Sequence, residues 1–104
     1  MERKAFKMFL KPGFEKEYEN RHNEIWPELK QLIEENGVCD YSIFWDKETN
    51  ILFASQKVNE GNGSQSLGEN PIVQKWWAYM ADIMETKSDN SPVSVELQEL
   101  FYLE

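Results

Sequence analysis

This 104-residue chain has one cysteine, one histidine and no long apolar run. The lone Cys39 cannot form an internal disulfide, and it cannot build a multi-cysteine zinc site. One histidine with scattered acids makes a poor metal donor set, so no metal is expected. Cations are also scarce. Eleven Lys and Arg stand against nineteen Asp and Glu, for a net charge of −8. A nucleic-acid footprint needs clustered cations to displace counterions, so that class of partner is excluded. Docking on anionic lipid is excluded on the same ground. No stretch is apolar over the length of a membrane span. The first residues alternate charge with apolar side chains (Arg3, Lys4, Phe6, Lys7, Met8), unlike a secretory leader. The expectation is a soluble, cytoplasmic protein that touches neither nucleic acid nor membrane.

What is present points to a packed fold. The chain is 40% hydrophobic and 13% aromatic, with four Trp, which is too apolar for disorder. The length fits one domain, residues 1–104. Phe6, Met8 and Leu10 alternate, as in a strand, until Pro12 and Gly13 stop it. From Phe14 the spacing changes to threes and fours through Tyr18, His22, Ile25/Trp26, Leu29 and Leu32/Ile33, a helical stripe. Pro27 within it predicts a kink or a restart, and Gly37 a stop. Residues 38–46 and 51–58 read as strands joined by a hairpin turn over Asp46–Asn50. Asn59–Asn70, rich in Gly, Ser and Asn, reads as a flexible loop.

Pro71 then suits a helix start. A second stripe follows through Val73, Trp76/Trp77, Met80 and Ile83/Met84. The tail, Val93–Leu103, reads as a last strand. The order is βαββαβ, an α+β, ferredoxin-like fold with two helices on one sheet face. Tyr41, Ile43 and Trp45 share one side of their strand and Phe44 takes the other. Both sheet faces therefore call for cover, and a second copy could supply it as a homodimer.

His22 is the one side chain whose reference pKa, about 6.5, lies near neutrality. It follows Tyr18 by four residues, so phenol and imidazole share a helix face. A lone helical histidine is more often structural than catalytic, and the spacing alone leaves both roles open. Trp76 and Trp77 point about 100° apart on a helix. One can fill the core while its neighbour lines a cleft. An indole face suits the C–H-rich face of a pyranose, although both could equally be core or interface anchors. Tyr41 would add a hydroxyl. The helix-one acids (Glu15, Glu17, Glu19, Glu24, Glu28) read as a solvated face. Gly61-Asn62-Gly63-Ser64 lacks the lysine of a phosphate loop, and Cys39 reads as a small apolar filler.

Several of these residues fall into a wider pattern. Tyr18, Arg21-His22-Asn23, Ile25-Trp26-Pro27, Tyr41, Trp76-Trp77-x-Tyr79-Met80, Asp89-Asn90-Ser91-Pro92-Val93, Glu96-Leu97-Gln98 and Phe101-Tyr102-Leu103 run across nearly the whole chain. Taken together they resemble the L-rhamnose mutarotase family. The resemblance implies a dimeric α+β barrel that interconverts the α and β anomers of L-rhamnose without a cofactor. It implies that His22 is the proton donor and that Tyr18, Tyr41, Trp76 and Trp77 contact the sugar. The chain departs from the family at Asn59–Asn70, where a charged, Trp-containing stretch is usual. Two alternatives share the architecture: a cofactor-independent oxygenase and a non-catalytic sugar-binding module. A pure dimerisation scaffold is a fourth reading. Fold alone does not separate them.

Overall fold

A computed structural model describes residues 2–59 and 67–104. The order is β1 (Glu2–Phe9), α1 (Glu15–Asn23), α2 (Pro27–Glu35), β2 (Cys39–Trp45), β3 (Ile51–Val58), α3 (Pro71–Met80) and β4 (Ser94–Leu97). The four strands form one sheet in the order β2-β3-β1-β4. Every pairing in it is antiparallel. This is the ferredoxin-like arrangement.

The alternation in β1 has its expected consequence. Phe6, Met8 and Leu10 are all buried, together with Leu52 and Ala54 of β3, against Leu29 of α2 and Val73, Trp76 and Met80 of α3. On the opposite face Phe44 and Phe53 are cross-strand partners, and Lys7 joins Phe53 to Val95 across the same row. Phe44, Phe53 and Val95 are exposed.

Pro27 brings the restart rather than the kink, and one expectation, the length of the last strand, needs correction. The first stripe is two helices, because Pro27 opens a new one at its first position. A proline lacks the N–H that a helix start leaves unpaired anyway. It also drives the preceding residue to extended backbone, and Trp26 sits at φ −60°, ψ 129°. The last strand is shorter than expected. β4 ends at Leu97, where its ladder with β1 ends opposite Ala5. Beyond it the chain is held by side chains: Arg3 donates to Glu99 at 2.8 and 2.9 Å and lies over the Tyr102 ring. Leu100, Phe101 and Leu103 are exposed.

The turns follow their local chemistry. Pro12-Gly13 sits between Lys11 and Phe14, with Gly13 at φ +88° as the third turn residue requires. Gly37 ends α2 at φ +81°, and the Asn59 side chain fills the place a Cβ would take. The 46–50 hairpin turn closes with Asn50 at φ 61°, donating its N–H to the Asp46 carbonyl at 2.8 Å. The expected loop over Asn59–Asn70 falls largely on residues 60–66, outside the described residues.

Candidate active site

α1 starts without a side-chain cap and buries only Tyr18. Its four-residue spacing places the His22 ring flat on the Tyr18 ring, centroids 4.2 Å apart and planes 26° apart. His22 Nδ1 lies 3.0 Å from the Tyr18 carbonyl oxygen. A carbonyl only accepts, so Nδ1 carries a proton and donates it there. Nε2 is then the lone-pair atom of the neutral ring. Burial lowers the His22 pKa below its ordinary value, and the hydrogen bond to Tyr18 opposes this more weakly. Neutral imidazole is therefore the resting form near pH 7. Burial pushes the Tyr18 phenol far above its ordinary range, with Tyr41 close enough to add to the push. That hydroxyl keeps its proton and remains able to donate.

α3 has a built start. Pro71 takes its first position, and the Asn70 side chain accepts the Ile72 N–H at 2.9 Å. Trp76 is buried, and its indole stands perpendicular to two rings, His22 at 5.5 Å (87°) and Trp26 at 5.1 Å (86°). Tyr79 packs on both indoles, at 5.6 Å from Trp76 and 5.7 Å from Trp26. Trp77 is half-buried, and its ring comes so close to Gly68 that a Cβ there would sit 2.6 Å from the indole. The adjacent tryptophans thus divide as expected between core and cleft, yet both reach the same cavity.

β2 brings Tyr41. Between Cys39 and Ser42 the ladder with β3 slips, and Asp40 turns to φ 47° with its carboxylate 3.2 Å from Lys57 Nζ. A bulge of this kind re-aims the side chains that follow it. Tyr41 faces the helices, 6.5 Å from the Phe6 ring. Cys39 is exposed at the start of this edge strand, which corrects its reading as an apolar filler.

Between sheet and helices lies an open cavity of about 1100 Å³, and Tyr18, His22, Tyr41, Trp76 and Trp77 all line it. Cavities that hold small molecules run from about 300 to 1,000 Å³. Its floor is apolar, from Met8, Leu52 and Met84 among others. Thr86, which sequence reasoning passed over, and Asn90, read there only as part of the tail pattern, also line it. They stand on a small return of the chain in which Thr86 bridges Pro92 and Asn90 takes φ 69°. Asp89-Asn90-Ser91-Pro92 signalled the break but not where it points. Among the described residues, no group of three or more His, Cys, Asp or Glu is placed to hold a metal ion.

Comparison with known proteins bears on this cavity. A family model described as L-rhamnose mutarotase matches residues 3–103. Curated relatives named L-rhamnose mutarotase include one from Bacteroides thetaiotaomicron, 66% identical, and one from Phocaeicola vulgatus, 65% identical, each aligned over all of both chains. The crystal structure of an L-rhamnose mutarotase from Formosa agariphila matches all of both chains, with a TM-score of 0.93 and 56% identity. With its ferredoxin-like fold and aromatic cavity, the chain belongs to the L-rhamnose mutarotase family, isomerases that exchange the anomers of a sugar.

Proposed function

We propose that this chain, acting as one domain over residues 1–104, interconverts the α and β anomers of L-rhamnose, with His22 carrying the proton. The observation that carries the reading is the setting of the only imidazole. It lines the cavity with Nδ1 committed to the Tyr18 carbonyl, which leaves Nε2 for chemistry. In the closed sugar the anomeric carbon bears both the ring oxygen and a hydroxyl. Neutral Nε2 takes the hydroxyl proton. The bond from the anomeric carbon to the ring oxygen breaks, its electron pair stays on that oxygen, and the former hydroxyl becomes an aldehyde. The imidazolium then donates the same proton to the ring oxygen. Rotation of the aldehyde and the reverse steps give the other anomer. One side chain serves first as base and then as acid, and no proton is gained or lost overall.

The remaining residues hold the sugar. Tyr18 and Tyr41 offer hydroxyls, and Trp76 and Trp77 offer apolar faces to the ring and to the methyl group of a 6-deoxy sugar. A positioned acid–base group contributes about 10²–10⁴-fold. The test is anomer exchange of L-rhamnose at equilibrium, by NMR saturation transfer between the two anomeric protons. Exchange should accelerate with the wild-type chain and lose that gain in His22→Ala. No acceleration by the wild type would end the reading.

The outer sheet face supports a homodimer. Phe44 and Phe53 lie exposed side by side, with Val95 beyond Lys7 in the same row, and burying them removes apolar area from water. Equilibrium sedimentation should give twice the chain mass, and a reduced mass for Phe44→Glu. A single chain mass for the wild type would refute this. A single cysteine in 104 residues fits a reducing cytoplasmic setting.

A further inference from the structure

α1 carries Tyr18 and His22, yet its apolar packing is thin: one buried residue in nine and no side-chain cap. Its last turn instead holds a polar fork. Arg21 Nη1 donates to the Tyr79 carbonyl oxygen at 2.8 Å and to Asp82 Oδ1 at 2.9 Å. Nη2 donates to Asp82 Oδ2 at 3.2 Å, and Nε to Glu17 Oε2 at 2.7 Å. The guanidinium also lies over the Tyr79 ring, 4.5 Å from its centre. The Arg21 side chain is only 11% exposed, though both acids stay open to water. Tyr79 is in the last turn of α3, where carbonyls lack helical partners, so Arg21 supplies a donor that α3 itself cannot. Asp82 lies just beyond that helix end, and its carboxyl is held below the ordinary range chiefly by this fork.

Arg21 does not line the cavity. Adjacent helical residues point about 100° apart, so Arg21 grips α3 while His22 faces the site. We propose that Arg21 is a positioning residue for proton transfer: its fork on Tyr79 and Asp82 ties α1 to α3 and sets where the His22 ring stands against Trp76, and so against a sugar on the indoles. The proposal rests on the reading of His22 as the acid–base group. Its energetic logic is asymmetric. Ion pairs open to water add little stability, whereas a displacement of about 1 Å at a reacting group can cost about 10²-fold in rate.

The test uses Arg21→Met, which keeps an apolar stem against Tyr79 and removes the fork. As the only histidine, His22 gives one set of imidazole NMR signals, shifted by the ring currents of Tyr18 and Trp76. In Arg21→Met the expected results are moved His22 signals and a kcat lower by about 10- to 100-fold. KM should change less than kcat, because Trp76, Trp77 and Tyr41 stand on other elements and only Tyr18 shares α1 with His22. Arg21→Lys should fall between the two, since an ammonium cannot make the planar fork. Unmoved His22 signals, or a kcat reduced only in proportion to unfolded chain, would overturn the pin. Should Arg21→Met fail to fold, Asp82→Asn loosens one arm alone. A few-fold fall in kcat with a smaller move of the same signals supports the proposal, and wild-type values of both overturn it. Undiminished exchange in His22→Ala sinks the acid–base reading itself, whereas unmoved signals in Arg21→Met sink only the pin.

Discussion

The two helices that meet beside the cavity are built differently. α3 starts with a side-chain cap and a proline, and it buries Val73, Trp76 and Met80. α1 has no such cap, buries only Tyr18, and is tied down by a guanidinium fork. The helix packed into the core carries the apolar walls. The helix held by polar contacts and ring stacking carries His22, the group proposed to move the proton. Apolar burial is strong and non-directional, which suits a platform. A forked hydrogen bond fixes angle and distance, which suits an acid–base group.

The contrast is open to measurement. The largest effect belongs to α1: His22→Ala should cut the catalysed exchange by about 10²–10⁴-fold, with thermal unfolding little changed. Loss of the fold instead would make His22 structural. Trp76→Ala should act the other way round. Emptying a buried aromatic site typically costs about 3–5 kcal/mol, so the urea midpoint should fall sharply along with sugar binding. A variant as stable as the wild type would show that α3 is not the core-borne element described here.

A gentler probe is pH. Because burial lowers the His22 pKa, the base form fills at neutrality, and kcat/KM should fall as pH drops below about 6.5 toward the folded-state value. A rise on acidification would reverse the proton order. Stability has the same sign. The unfolded chain binds the proton more readily, so the His22 contribution is complete above the unfolded pKa and is lost as pH falls through the folded one. The smallest effect is expected from Asn70→Ala, which removes the α3 cap at about 1 kcal/mol. Exchange per folded molecule should not change, and a large loss of kcat there would mean that α3 also tunes the chemistry.

Much of this was readable from residue order. The β1 alternation, the turn over 46–50 and the division of Trp76 from Trp77 depend on neighbours in sequence, which periodicity reports directly. The five expected site residues, read from motifs that match a known family, line one cavity. Other features depend on distant partners. Arg21 meets Asp82 across 61 positions, and nothing near either residue announces the pair. The tail looked like a strand because Leu97, Leu100, Phe101 and Leu103 are apolar. Its ladder stops where β1 and β4 part, and Arg3, 96 positions from Glu99, takes over. Pro27 signalled a disturbance. Whether it bent one helix or began a second was a matter of how α1 and α2 settle on the sheet.

Gly68 adds a dimension of its own. It does not line the cavity, yet the absence of its side chain is what lets the Trp77 ring rest where it does. A single methyl group at 68 would press on that indole closer than carbon atoms tolerate, and the ring would have to yield. The bore of the cavity at its Trp77 wall is thus gauged from outside, by a hydrogen atom standing where a carbon could be. Any side chain at 68 would shift that wall without altering a residue that lines the cavity.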